Sequence, residues 1–307
     1  MSLQVGLVGL PGVGKTTLFS ALTGLPGDAY GKEHVGVASI ADERLEPIAA
    51  AIGSATTTPA TIQVLDPPGL SPAALGELRQ VDALLAIERN FGPEPNPAGD
   101  LETLMLELVV ADRDHVERRL ERVRTQAKSG DPKLRQEVEE VERVLAHLEA
   151  GNLLSSFGSL LPPELEPLTT KPILHVVNGG DDGVDVKLEA ELAELDPEEA
   201  AEFRDGGSML ESVLAGLFDA AGLITFFTGN EKETRAWTLR RGQTALEAAA
   251  SIHTDMARGF IRCEVVGWKE LVDAGSRAEA ARRGVQRLEG KDYVVADGDV
   301  LNIRFNV

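Results

Sequence analysis

Apolar residues gather near the start of the chain in a short run, Leu3 to Val8, which meets glycine and proline. It gives way to Lys15-Thr16-Thr17-Leu18-Phe19-Ser20-Ala21-Leu22, where apolar positions recur at helical spacing. Strand, turn and helix are predicted. Further runs of the buried-strand kind lie at Thr61–Leu65, Ala83–Ile87 and Ile173–Val177, separated by helical or loop stretches as in a parallel sheet. The fold class is therefore α/β.

Between Asp100 and about Gly151 the sequence turns charge-dense. Leu134, Val138, Val141, Leu145 and Leu148 are spaced 4, 3, 4 and 3, a heptad seam that Val116, Leu120 and Val123 repeat upstream. Ser129-Gly130-Asp131-Pro132 breaks the two helices. The pattern predicts an antiparallel coiled-coil hairpin inserted into the sheet domain, either a solvated arm or a partner-binding one. Pro162, Pro163 and Pro167 mark the return to the next strand, and Pro197 interrupts a second helical patch, Lys187 to Phe203. From Leu223 short apolar runs at Ile224–Thr228, Gly259–Val266, Tyr293–Val295 and Leu301–Phe305 predict a small mixed β domain. The expected division is 1–99 with 171–222 as the sheet domain, 100–170 as the helical insertion and 223–307 as the β domain.

Composition narrows the class. The chain has 307 residues, 43% of them hydrophobic, and a net charge of −20. That charge repels nucleic acid from most of the surface. It is unevenly spread: residues 223–307 carry 13 Lys/Arg against 12 Asp/Glu, so only this part is free of the acidic excess. Cys263 is the only cysteine, which excludes an intramolecular disulfide framework, and the five histidines are not clustered for a protein-only metal site. No basic leader and no apolar stretch of roughly 18 residues stands out, so a cytoplasmic protein without a membrane span is expected.

The chemistry concentrates at Gly9-Leu10-Pro11-Gly12-Val13-Gly14-Lys15-Thr16, which fits G-x-x-x-x-G-K-[ST] between a strand and a helix. In such a loop glycines let backbone N–H groups turn toward phosphates, the lysine supplies charge, and the hydroxyl meets Mg²⁺. Gly9, Pro11, Gly12, Val13, Gly14, Lys15, Thr16 and Thr17 are the phosphate-binding candidates. Asp66-Pro67-Pro68-Gly69 ends the Thr61–Leu65 strand, where Asp66 would join Thr16 at Mg²⁺ through water and the Gly69 N–H would meet the γ-phosphate. Lys15, Thr16 and Gly69 form the candidate catalytic set. Asn178-Gly179-Gly180-Asp181 ends the Ile173–Val177 strand, and Asp181 could accept hydrogen bonds from the donor pair of guanine.

The C-terminal stretch Phe226-Phe227-Thr228-Gly229-Asn230-Glu231-Lys232-Glu233, with Arg235-Ala236-Trp237-Thr238, Ile252-His253-Thr254-Asp255, Gly259-Phe260-Ile261-Arg262, Leu288-Glu289-Gly290-Lys291-Asp292-Tyr293 and Asp297-Gly298-Asp299-Val300, resembles the YchF group of Obg-like ATPases. Val35-Gly36-Val37 and the helix from Ala111 to Leu120 share the resemblance. It implies a P-loop G domain that commonly prefers ATP to GTP, a coiled-coil arm, a C-terminal TGS domain of β-grasp type, and association with ribosomes. It places Leu70 where Ras-like enzymes keep a water-orienting glutamine. The chain departs from the family where Tyr30 stands near the switch threonine, where the stretches after Gly69 and between Phe91 and Asp100 are short, at Asp181, and at Asp185-Val186 in place of Ser-Ala.

The expected function is Mg²⁺-dependent binding and slow hydrolysis of a purine nucleoside triphosphate by a ribosome-associated switch. Two alternatives stay open: a nucleotide sensor that has lost hydrolysis, and an Obg-type GTPase selecting guanine through Asp181. Arg282, Arg283 and Arg287, expected within about one helical turn, are the candidates for facing RNA. Arg79 or Arg89 could stabilise charge at the phosphates, or sit in surface ion pairs. His253 beside Asp255 reads as a local hydrogen bond, and Cys263 as a buried small hydrophobe.

Overall fold

A strand with apolar side chains on both faces must lie inside a sheet, and β1 (Leu3–Val8) does, with Leu3, Val5, Leu7 and Val8 all buried. The computed structural model describes residues 3–27, 33–203 and 209–306. After β1 come α1 (Lys15–Thr23), β2 (His34–Ile40), α2 (Leu45–Ile52), β3 (Thr56–Thr58), β4 (Ala60–Asp66), α3 (Pro72–Leu78) and β5 (Ala83–Arg89). The long helices α4 (Pro97–Ala127) and α5 (Pro132–Glu149) follow, then three short 3-10 turns between Leu154 and Thr170, β6 (Ile173–Asn178), α6 (Val186–Leu192), α7 (Pro197–Glu202) and α8 (Met209–Ala220). The remainder comprises β7 (Leu223–Gly229), β8 (Glu233–Arg240), α9 (Ala245–Ile252), α10 (Thr254–Arg258), β9 (Phe260–Gly267), α11 (Trp268–Ala274), α12 (Arg277–Arg282), β10 (Arg287–Glu289) and β11 (Asp299–Phe305).

The first sheet has the order β2-β4-β1-β5-β6, and β5 runs parallel to both β1 and β6. Beneath it Val8, Leu78, Leu84, Ala86, Leu104, Leu108 and Leu168 form one buried cluster, which anchors the root of α4. Beyond that root α4 and α5 make the expected hairpin. Asn96 and Asp131 cap the two helices by accepting from Gly99 N and Lys133 N, and each helix starts with a proline whose missing N–H costs nothing in the first turn. The seam holds Val116 and Leu120 against Val141, Val144 and Leu148, and Val123 further along α4 is buried as well. Val144, outside the strict heptad, is 1% exposed while Leu145 is only partly buried, so the apolar stripe is wider than an a/d seam.

Asp112 sits at the foot of this arm with 0% exposure. Its Oδ1 accepts from Arg79 Nη1 at 2.6 Å and from Leu168 N at 3.0 Å, and its Oδ2 from Thr169 N and Thr169 Oγ1 at 2.9 and 2.7 Å. Arg79 is itself 7% exposed and also donates to Ala111 O and Glu166 O. It is an internal tie, not the surface ion pair or phosphate partner expected; Arg89 lies 3.9 Å from Asp100.

The second sheet has the order β10-β9-β11-β7-β8-β3, with β7 antiparallel to β8 and β9 antiparallel to β11. One face is packed by α9 and Cys263, Val265, Leu301 and Ile303; the other by Ile48, Ala60, Leu271 and Ala280 against Phe227 and Val300. Trp237 packs beside the first of these clusters, stacked on Phe226, with its Nε1 donating to Thr228 Oγ1 at 2.8 Å. Cys263 is fully buried, and that burial pushes its thiol up to about 12.

The chain divides into two compact units, residues 4–36 with 64–205, and residues 1–3 with 37–63 and 206–307. The expected segments cut the chain elsewhere. The reason is that β3 pairs parallel with β8, Thr56 opposite Glu233, while Ile48 of α2 packs against Phe227, so α2 and β3 go with the C-terminal sheet although β2 and β4 on either side are strands of the first. Two expectations are corrected. Tyr293–Val295 is not a strand but makes a single bridge, Thr244 to Val294. Arg282 ends α12 and Arg283 caps it, whereas Arg287 opens β10, so the three do not share a helical turn. No helix among the described residues is long and apolar enough to cross a membrane.

Asp112→Asn removes the charge facing a buried guanidinium, and a loss of about 3–5 kcal/mol is expected in urea unfolding, the usual cost of breaking a buried pair from one side. A change under 1 kcal/mol would show that Arg79 finds water instead. In the second unit, burial and a 2.8 Å bond to Asp299 raise the Tyr293 phenol from 10.0 to about 12. Since the folded value is the higher one, the neutral phenol's contribution is complete below pH 10 and is lost as pH climbs toward 12. Tyrosinate absorbance should show a late-titrating component that Tyr293→Phe abolishes; a single ordinary tyrosine titration would contradict it.

Candidate functional site

The loop between β1 and α1 turns on glycines: Gly9, Gly12 and Gly14 all have positive φ, 159°, 81° and 101°. Gly14 is the N-cap of α1 and has no side chain to cap it, so the first N–H groups of the helix meet no capping side chain. An uncapped helix start next to a lysine suits an anion. Lys15 opens α1, and burial lowers its ammonium below the usual lysine value, opposed by the nearby charges of Asp66 and Glu107. Val13 is buried, Pro11 and Gly12 are exposed, and Thr16 and Thr17 are half-buried in the first turn.

Asp66 ends β4, 2% exposed. Its Oδ2 accepts from Thr16 Oγ1 at 2.8 Å, while its Oδ1 is buried without a partner. Residues fifty positions apart thus meet as the motif spacing suggests. Gly69 follows in a tight turn, φ 74°, with its N–H donating to Pro67 O at 2.8 Å, and Leu70 packs against the apolar cluster under the sheet.

Asn178, at the end of β6, reaches across to the loop. Its Nδ2 donates to Val13 O at 2.8 Å, and its Oδ1 accepts from Val186 N at 3.4 Å. A side-chain amide that donates to one loop and accepts from the next fixes both. Gly179 N donates to Val184 O at 2.8 Å, which closes the turn carrying Asp181 on its exposed outer edge. Asp185 caps α6 by accepting from Leu188 N at 3.0 Å. Tyr30 lies outside the described residues.

One neighbour was not singled out by its sequence. His34, the first residue of β2, stands 5.6 Å from the Phe19 ring between centroids, and its Nδ1 is 3.4 Å from Asp66 Oδ2. That nitrogen is buried and makes no hydrogen bond, and 3.4 Å to Asp66 is longer than such a bond ordinarily spans. A lone histidine in an alternating strand gives no local sign of this meeting.

Comparison with known proteins adds the family. A model described as a 50S ribosome-binding GTPase matches residues 4–140, and the YchF GTPase C-terminal model, described as a protein of unknown function, matches residues 223–306. The chain is 34% identical to the Ribosome-binding ATPase YchF of Bacillus subtilis (strain 168), with 100% of both chains covered. The chain belongs to the YchF family. The Ribosome-binding ATPase YchF of Haemophilus influenzae is also 34% identical, again over the whole of both chains. The structure of the Schizosaccharomyces pombe YchF GTPase superposes with a TM-score of 0.83 at 26% identity, covering 99% of this chain and 98% of that one. The Bacillus alignment runs over 366 positions against 307 residues here, so the relative has segments that this YchF chain lacks.

Two of the loop glycines separate strain from contact. A Cβ at Gly12 meets nothing within 4 Å, whereas one at Gly14 lies 2.5 Å from Asn178 Nδ2. Both substitutions carry the left-handed backbone penalty of roughly 1–2 kcal/mol. Gly14→Ala should therefore lower the urea midpoint more than Gly12→Ala, since it also displaces the amide that holds Val13. Equal losses would mean that the Asn178 clamp contributes nothing.

Proposed function

We propose that this YchF-family chain binds a purine nucleoside triphosphate with Mg²⁺ at the β1–α1 loop, hydrolyses it slowly, and acts in the cytoplasm as a nucleotide-controlled switch on the ribosome. The observation that carries the reading is the meeting of Thr16 and Asp66 beside an uncapped helix start: a hydroxyl 2.8 Å from a buried carboxylate whose other oxygen has no partner. Hard oxygen donors of this kind suit Mg²⁺. Thr16 and Asp66 would hold the ion, and Gly9, Pro11, Gly12, Val13, Gly14, Lys15, Thr16 and Thr17 would surround the phosphates. Bound Mg²⁺ supplies charge to the phosphate oxygens and fixes their orientation.

The remaining steps belong to the protein. Lys15 neutralises phosphate charge, its lowered basicity already opposed by Asp66. Gly69 offers its N–H to the terminal phosphate once it leaves Pro67 O. Asn178 keeps the phosphate loop in register with the turn that carries Asp181, the base contact in this reading. Leu70 has no group to orient a water and Arg79 is committed to Asp112, so neither completes the hydrolytic machinery. Turnover of the free protein is therefore expected to fall far below the roughly 10 s⁻¹ of a median enzyme. The same two residues support the second reading, a sensor without hydrolysis.

ATP is the preferred base in this proposal, in line with the names of the curated relatives; Asp181 is the residue that would favour guanine instead. The C-terminal unit is the proposed ribosome-facing part, because residues 223–307 escape the acidic excess of the chain. Arg282 and Arg283 are both paired with Glu279, and Arg287 bonds the Tyr293 hydroxyl, which leaves the exposed Arg262 as a further candidate there.

Lys15→Ala should weaken ATP and GTP binding more than tenfold by calorimetry, since a charge-assisted hydrogen bond worth about 1.5–3 kcal/mol is lost. Thr16→Ala should spare binding in EDTA and lose the Mg²⁺-dependent part. Unchanged affinity in the first variant removes the proposal. Single-turnover assays separate the switch from the sensor, and ribosome co-sedimentation with and without ATP tests the partner.

A further inference from the structure

Two buried polar atoms beside Thr16 lack partners, His34 Nδ1 and Asp66 Oδ1. They belong to groups that approach each other, Nδ1 lying 3.4 Å from the other carboxylate oxygen, Oδ2. The side chains of His34 and Asp66 are 15% and 3% exposed, so little water is at hand to satisfy them. A neutral imidazole presents either a lone pair or an N–H at Nδ1. A lone pair facing a carboxylate has nothing to bind, and an N–H would close to a shorter, better-aligned bond. A single divalent cation would give the nitrogen a partner and would share the neighbouring carboxylate oxygen, Oδ2.

We propose that His34 Nδ1 is a nitrogen ligand of the ion held by Thr16 and Asp66, and that the site consequently favours Mn²⁺ or Co²⁺ over Mg²⁺. The proposal rests on the nucleotide and metal reading above. The spacing supports it: ligands at about 2.1 Å from one octahedral ion lie about 3 Å apart along an edge. Here the Thr16 Oγ1–Asp66 Oδ2 separation is 2.8 Å and the His34 Nδ1–Asp66 Oδ2 separation is 3.4 Å. Both separations are of the length that one octahedral ion spans. Chemistry points the same way, since oxygen donors suit Mg²⁺ whereas an imidazole nitrogen raises affinity along the first-row transition series. Phe19, in contact with the ring, holds its plane.

The test uses the full chain with Mn²⁺ and a non-hydrolysable ATP or GTP analogue. Pulsed electron paramagnetic resonance of the bound Mn²⁺ should show modulation from a directly bonded ¹⁴N, replaced by the ¹⁵N pattern when only histidine is ¹⁵N-labelled. The labelling excludes the base and Lys15 as the source and needs no variant to fold. His34→Asn puts an amide near the Nδ1 position; it should abolish the modulation and reduce the preference for Mn²⁺ over Mg²⁺ by on the order of tenfold, the scale on which a metal's supporting groups act. An Mn²⁺–nucleotide complex without histidine coupling, or a metal preference unchanged in His34→Asn, overturns the inference alone. Absence of any Mn²⁺–nucleotide complex overturns both it and the proposed function.

Discussion

A carboxylate with no access to water must have its charge answered from within, and Asp112 has its charge answered by Arg79 and by the chain at Leu168 and Thr169. This need joins elements that are distant in sequence. Asp112 belongs to α4, Arg79 caps α3, and Leu168 and Thr169 lead into β6. The arm, the helix after the Gly69 turn and the strand that ends in Asn178 therefore share one buried node. Because β6 delivers Asn178 to Val13, the position of the phosphate loop depends in turn on where that strand enters the sheet.

The candidate site is built on the same economy of contact. One amide spans two loops, and one hydroxyl meets one carboxylate. Each group sits at the end of a strand, β4 or β6, or in the first turn of α1, where the backbone is already fixed by its neighbours. What varies around such a frame is the surrounding side chains: Leu70 tucked into the core, Arg79 withdrawn to Asp112, and His34 brought against Asp66.

Local chemistry made much of this legible in the sequence. The phosphate loop could be read because glycine positions, lysine and hydroxyl all lie within eight residues, and its pairing with Asp66 followed from an acidic residue at a strand end. The hairpin was legible from its seam. Features set by distant partners were not. Three threonines at β3 become a strand only because β8 offers an edge, and Arg287 leaves the helical pattern because β9 pairs with β10. Tyr293 is held by a bond to Asp299 and not by a ladder. His34 had no pattern at all; its neighbour lies at the far end of another strand.

The pairing of β3 with β8 bears on how the protein comes into being. Residues 37–63 leave the ribosome early, yet the strand β3 joins and the apolar surface that Ile48 covers, Phe227 and Val300, are made much later. Contacts of such long sequence separation form slowly and late. During synthesis α2 and β3 therefore wait, with the apolar face of Ile48 uncovered, until Phe227 and Val300 are made. A fragment that begins at residue 223 lacks this covering and would expose Phe227, so the C-terminal unit cannot be cut from the chain as one continuous piece without opening its core.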